Sequence, residues 1–218
     1  MSYKAVAFDM DGLMLDTEVV YDLAGRRLMG AYGAKYPQEL RNRIMGCPPM
    51  VGFAEMIRWN KLKNVTPQEL ATKSSEVYLD IVAKQGVQNM PGLGMILLTL
   101  ERRGVRRCVC TSATRRIMDA TLSPELRQRF EFILTSDDIV RGKPDPEIYL
   151  LAAHRLGISP LDMVVLEDSE NGCCAGKASG AMTVAVIGPH CAGQSYEVAD
   201  LVVNRLDAPE LLMLFHED

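Results

Sequence analysis

No apolar run in this chain approaches the roughly 20 residues that a membrane-crossing helix needs. Met95 to Leu98 is among the longest. Basic runs are absent too, and a formal net charge of -4 gives no field that would draw nucleic acid or anionic lipid. The expectation is a protein with neither nucleic-acid nor membrane partners. Histidine is scarce, and His154, His190 and His216 lack the clustered spacing of a metal site. The single tryptophan, Trp59, is expected in the core of a helical lobe and not as a stacking platform. Met1 to Lys4 is too short and too weakly charged for the head of a secretory signal, and the following AVAF is no apolar signal core. Cys47, Cys108, Cys110, Cys173, Cys174 and Cys191 include no C-x-x-C pair. Reduced, mostly buried thiols in a cytoplasmic setting are therefore expected.

What is present is enough apolar material for a core. At 48% hydrophobic and 24% charged, the 218 residues fit one large soluble domain or a domain with an inserted lobe. Short apolar runs alternate with helical periodicity over most of the chain. Strands are expected at Lys4 to Phe8, Val105 to Cys110, Phe132 to Leu134, Met163 to Leu166, Met182 to Ile187 and Leu201 to Val203. Helices fit Gly92 to Arg103, ended by Gly104, and Thr114 to Leu122. A third carries Ile148, Leu151, Ala152 and Leu156 on one face, with Asp145 read as its N-cap, Pro146 as its first residue and Gly157 as its stop. That alternation implies an α/β fold with a Rossmann-like, doubly wound parallel sheet covered on both faces.

The section from Thr17 to Gln85 breaks the alternation. Val20, Leu23, Ala24, Leu28, Ala31 and Tyr32 share a helical stripe, and the stretches Phe53 to Leu62 and Pro67 to Val82 also read as helical. The expected organisation is a core domain of residues 1–16 and 86–218, interrupted by a helical cap domain of residues 17–85.

The stretch Val6 to Glu18, VAFDMDGLMLDTE, ends an apolar run on two aspartates one residue apart. Strand alternation sends Asp9 and Asp11 to one side, with Met10 opposite. Ligands of open parallel sheets bind outside the carboxyl ends of the strands. The polar residues following each apolar run therefore converge there: Asp9 and Asp11, then Thr111 and Ser112, then Lys143 ahead of a helix, then Glu167 and Asp168. Crowded carboxylates repel unless a cation is shared among them. All-oxygen donors favour magnesium, which bridges readily to phosphate oxygens, while lysine and hydroxyl groups suit the outer oxygens of a phosphoryl group. Two competing patterns fail: Asp137 replaces the first glycine of a Walker A loop ending at Lys143, and Leu97 replaces the last glycine of a dinucleotide fingerprint starting at Gly92.

Phe8-Asp9-Met10-Asp11-Gly12, Thr111-Ser112, Gly142-Lys143-Pro144 and Leu166-Glu167-Asp168-Ser169 resemble the four ordered motifs of the haloacid dehalogenase superfamily. The helical insert directly after the first motif is similar to its beta-phosphoglucomutase-like and sugar-phosphate phosphatase subgroup. The resemblance implies a magnesium-dependent phosphatase of a small phosphorylated metabolite, most simply a sugar phosphate, acting through a phosphoaspartate. It implies Asp9 as nucleophile and Asp11 as acid and base. It assigns magnesium to the Asp9 carboxylate, the Asp11 carbonyl and Asp168, with Glu167 bound directly or through water. Thr111 and Ser112 would hold the phosphoryl oxygens, and Lys143 would offset their charge.

Ala113 departs from the small hydroxyl residue often found there, which puts one outer phosphate contact in doubt. Mutases of the subgroup carry a basic residue in the cap soon after a glycine; Met45 to Met50, MGCPPM, has none, so a phosphosugar mutase is the alternative reading. Arg41, Arg43 and Lys73 are possible substitutes, and Arg43 or Lys73 is expected to touch substrate. Dehalogenases of the superfamily lack the second aspartate, which Asp11 argues against, and a purely binding role would fit a broken motif, which is not found. Nothing in the sequence demands more than a monomer.

Overall fold

The computed structural model describes residues 3–44, 47, 49–189, 191 and 193–215. Met45, Gly46 and Pro48 of the MGCPPM stretch, with His190 and His216, lie outside the described residues. In chain order, β1 (Ala5–Phe8) is followed by α1 (Thr17–Ala31), α2 (Gln38–Ile44), α3 (Pro49–Asn60) and α4 (Pro67–Gln85). Then come α5 (Leu93–Arg102), β2 (Arg106–Cys110), α6 (Arg115–Thr121), α7 (Pro124–Arg127), β3 (Phe132–Leu134) and α8 (Glu147–Leu156). The chain ends with β4 (Met163–Glu167), α9 (Glu170–Ser179), β5 (Met182–Val186), β6 (Leu201–Val203) and α10 (Pro209–Met213). It divides into two compact units, Met1–Asp16 with Gln88–Asp218, and Thr17–Val87.

The first unit is an α/β sandwich around a six-stranded parallel sheet of order β3-β2-β1-β4-β5-β6. This is the doubly wound, Rossmann-like order, and its direction reverses between β1 and β4. Ala5 pairs with Met163 and Phe8 with Leu166 across that reversal. Both strands are buried along their whole length, as strands covered on two faces must be. On one face Ala5, Ala7, Cys108, Cys110 and Val165 pack against Ile148, Tyr149, Ala152 and Leu156 of α8 and Ala175 of α9. On the other, Phe8 meets Phe130 edge-on, with ring centroids 5.5 Å apart. Where the chain leaves and re-enters this unit, the two passes pair: Asp16 N–H donates to Gln88 and Met90 N–H to Met14.

Two local details differ from the sequence expectation and bear on the site. Strand β4 runs one residue past Leu166, so Glu167 is a fully buried strand residue paired with Ala185. Pro146, with φ of -73°, takes the N-cap position expected of Asp145. Proline's fixed φ carries the helical conformation only from there. The Asp145 carboxylate still serves the helix end, accepting from Glu147 N–H at 3.0 Å.

The second unit is helical among its described residues. Leu28, Met29, Leu40, Met56 and Leu70 form its core. Thr66 caps α4 in a reciprocal capping box with Glu69. Helix α2 was not expected, because its seven residues bury only Leu40 and show no period. Trp59 is 38% exposed and not in the core; the Arg43 guanidinium lies over its ring at 5.4 Å, so the indole is shielded by a cation instead of by packing. Arg43 is also paired with Glu55 at 3.0 Å, and Lys73 donates to the Tyr32 hydroxyl at 2.8 Å.

None of the six cysteines is in a disulfide, and four of them are buried. Among the described residues no helix is long and apolar enough to cross a membrane.

Close approach of α9 to the sheet depends on Gly176, where a Cβ would lie 2.8 Å from Thr183 Oγ1 and 2.9 Å from Val165 Cγ1. A larger side chain must push the helix off β4 and β5, the strand pair that carries Glu167. Gly176→Val is expected to lower stability by about 1–3 kcal/mol, the usual range for overpacking. Urea unfolding followed by circular dichroism measures it, and an unchanged midpoint would contradict this account of the packing.

Candidate active site

The first motif continues the β1 ladder beyond the strand: Asp9 N–H donates to the Leu166 carbonyl at 3.0 Å. The chain then turns sharply, with Met14 and Leu15 N–H both directed at the Met10 carbonyl. Met10, Leu13, Met14 and Leu15 are buried beneath this turn, which fixes the two aspartates above it. Gly12 has φ of +76°, and a Cβ there would fall 2.1 Å from Asp168 Oδ2. Glycine is required twice over, for the backbone and for the carboxylate of the fourth motif.

Lys143 is the centre of the cluster. Its side chain is 5% exposed, and Nζ lies 2.5 Å from Asp9 Oδ1, 2.5 Å from Glu167 Oε1 and 3.0 Å from the Cys110 carbonyl. An ammonium offers three donors, and these three acceptors use them all. Glu167 Oε1 also accepts from the Tyr149 hydroxyl at 2.6 Å. Its Oε2 accepts from Asp168 N–H, Ser169 N–H and the Ser169 hydroxyl at 3.1–3.3 Å. Gly172, on α9, leaves room for this carboxylate, since a Cβ there would fall 1.9 Å from Glu167 Cδ. Thr111 follows β2 and donates to Asp11 Oδ2 at 3.1 Å while accepting from Ala113 N–H at 3.0 Å. Thr114, and not Thr111, caps α6. Ser112 is exposed in the same loop. The Asp168 carbonyl accepts from the Tyr196 hydroxyl at 2.6 Å, which ties the motif to the segment after β5.

The electrostatics follow from burial. Desolvation raises the Asp9 carboxyl most; Lys143 pulls it back, Glu167 and Asp11 push it further, and it settles at about 8. Burial alone would discharge Lys143, but Asp9 and Glu167 together hold its pKa above the ordinary lysine value. Burial also raises the Tyr149 phenol well above its usual value, so its hydroxyl stays a donor at neutral pH.

Asp9, Glu167 and Asp168 each offer an oxygen, all within 4.8 Å of one another. Asp9 and Glu167 share one lysine with Asp168 close by, and burial first, then the nearby Glu167 and Asp11 charges, raises the Asp9 carboxyl. A hard divalent cation fits this donor set.

The structure thus brings Asp9, Lys143, Glu167 and Asp168 into one cluster, with Asp11 bonded to Thr111 beside it and Ser112 on the same loop as Thr111. Tyr149, Gly172 and Tyr196 were not anticipated. Tyr149 sits among apolar neighbours in the sequence and reads as core; Gly172 and Tyr196 carry no local signal for their partners.

A parallel sheet with buried carboxylates and a lysine gathered at its carboxyl edge has the layout of an α/β enzyme. The chain matches the haloacid dehalogenase-like hydrolase family over residues 3–180 and belongs to that family. It is 32% identical over 181 residues to a phosphorylated carbohydrates phosphatase of Thermotoga maritima, covering 81% of this chain and 82% of that one. It is 28% identical to the beta-phosphoglucomutase of Bacillus subtilis, over 99% of this chain and 95% of that one. A solved structure of a putative beta-phosphoglucomutase from Thermotoga maritima superposes with a TM-score of 0.76 at 29% identity, covering 98% of both chains.

Removing the lysine charge leaves buried carboxylates uncompensated. Lys143→Met is expected to destabilise the metal-free protein by roughly 3–5 kcal/mol, as for other broken buried ion pairs. Urea unfolding in the presence of a chelator measures the loss; stability equal to wild type would show that Lys143 does not balance this charge.

Proposed function

We propose that the chain is a magnesium-dependent phosphatase of a small phosphorylated metabolite, with a sugar phosphate as the favoured class, acting through a phosphoaspartate. The observation that carries it is the Asp9–Lys143–Glu167 bridge, which holds a buried carboxylate at the end of β1 with Asp11 and the Thr111 hydroxyl beside it. A named relative that acts on phosphorylated carbohydrates supports the substrate class.

In this reading an Asp9 oxygen attacks phosphorus and the bond to the leaving oxygen breaks, while Asp11 gives that oxygen its proton. Water then attacks the same phosphorus and the bond to Asp9 breaks. Asp11 takes the water proton, which restores both carboxyl groups. Lys143 offsets charge on Asp9 and on the phosphoryl oxygens, and Thr111 and Ser112 hold those oxygens from the loop after β2. Asp9, Asp168 and the Asp11 carbonyl, with Glu167 directly or through water, would hold magnesium, whose charge offsets that of the transferring group. The helical unit is assigned the choice of substrate.

A phosphosugar mutase is the second reading, favoured by the 28% identity to a beta-phosphoglucomutase over almost the whole chain. Two features weigh against it. Positions 45–50 hold no basic residue, and Arg43 is engaged by Glu55 and Trp59.

Phosphorus-31 NMR with magnesium and a panel of sugar and nucleoside phosphates, including beta-glucose 1-phosphate, separates the readings. Inorganic phosphate is expected from wild type, and none from Asp9→Asn or from wild type with excess chelator. Isomerised sugar phosphate without net release would establish the mutase. Phosphate release by Asp9→Asn at the wild-type rate would defeat the assignment of the nucleophile.

A further inference from the structure

One buried polar group at the sheet edge has no part in the chemistry above: the phenol of Tyr149. Its side chain is fully buried on α8, among Ile148, Ala152 and the inner faces of β1 and β2. A phenylalanine would fill that space equally well. A hydroxyl placed there is costly unless it is bonded, and its acceptor is a charged one, Glu167 Oε1 at 2.6 Å. The same ring lies 5.1 Å from Lys143 Nζ, facing the cation with its π cloud. A single side chain therefore touches both partners of the Lys143–Glu167 ion pair.

Glu167 is saturated by the protein. Oε1 accepts two hydrogen bonds, from Lys143 and Tyr149. Oε2 accepts three, from Asp168 N–H, Ser169 N–H and the Ser169 hydroxyl. A carboxylate offers about four lone-pair sites, so these five donors already engage both Glu167 oxygens in the metal-free protein. Its influence on the reaction then passes through Lys143 to Asp9.

We propose that Tyr149 is a positioning residue, whose hydroxyl holds Glu167 and whose ring seats Lys143, so that the ammonium is shared between Glu167 and Asp9. The proposal rests on the phosphatase reading for its kinetic consequence, but not for its structural one. By taking up part of the Glu167 charge, the phenol keeps Glu167 from drawing Lys143 away from Asp9. Without the hydroxyl, Oε1 has Lys143 alone, and the ammonium moves toward Glu167. Asp9 would then lose the cation that steadies it as the attacking group.

Tyr149→Phe keeps the ring and removes only the hydroxyl. Two measurements are made on it and on wild type: steady-state phosphate release with magnesium, and the Lys143 ammonium signal in metal-free, nitrogen-15-labelled protein. The expected result is a fall in kcat of about 10- to 100-fold at unchanged KM, the range found when a side chain that orients a site ligand is removed. A displaced Lys143 signal with faster proton exchange should accompany it. A variant with lowered melting temperature but wild-type kcat and an unmoved Lys143 signal would make Tyr149 a packing residue and overturn the proposal. A raised KM in place of a lowered kcat would overturn it as well. If wild type releases phosphate from no substrate, the phosphatase reading fails, and the Lys143 signal alone still decides whether Tyr149 positions the lysine.

Discussion

Everything at the sheet edge depends on one buried ammonium. Lys143 Nζ bonds to Asp9, Glu167 and the Cys110 carbonyl, and so joins the ends of β1, β2 and β4 through a single charge. Those three strands lie side by side in the sheet, at and next to the reversal of strand order. Without a cation there, the carboxylates of the first and fourth motifs would move apart or take up protons, and burial already raises the Asp9 carboxyl. The lysine also enforces order along the chain, since its loop must end where α8 can bring Tyr149 underneath Glu167.

A second constraint is steric. Two glycines are needed because carboxylates occupy the space their side chains would take: Gly12 faces Asp168, and Gly172 faces Glu167. The site is made as much by what these positions omit as by the charges it gathers. Gly176 serves the layer below, letting α9 settle on β4 and β5 so that Glu167 begins from a fixed strand.

The sequence made the chemistry legible where a side chain had to follow a strand. Asp9, Thr111 and Glu167 stand directly after apolar runs, with Asp11 and Asp168 a residue or two further on, and parallel-sheet geometry gathers them. Lys143 was marked by its glycine and prolines. What remained hidden was contact made across the sheet and helix layers. Tyr149 reads as one more apolar position of α8, because nothing local records that Glu167 lies beside its hydroxyl. Helix α2 was missed since one buried residue makes no period. Trp59 reads as core of the helical lobe from its place in a helical stretch, whereas a cation from α2, Arg43, covers it. In both units the periodic, self-contained elements could be read, and pairings between distant elements could not.

The buried Asp9–Lys143–Glu167 arrangement is a poor device for stability. Desolvating buried charges costs several kcal/mol for each, and apolar residues of similar volume often replace such groups at no loss. Nor does the surrounding core need it: β1 and β4 are apolar up to Phe8 and Leu166, and α8 and α9 already cover one face of the sheet. A fold selected for stability alone would end these strands in apolar or solvated residues. Charge that is buried and shared among Asp9, Glu167 and one lysine, with Asp168 close by, is better explained by a ligand that completes the balance. The donor set fits a divalent cation, and Asp11 and Thr111, bonded to each other, sit beside it. The stability given up at the sheet edge is thus the physical argument that this edge does chemistry.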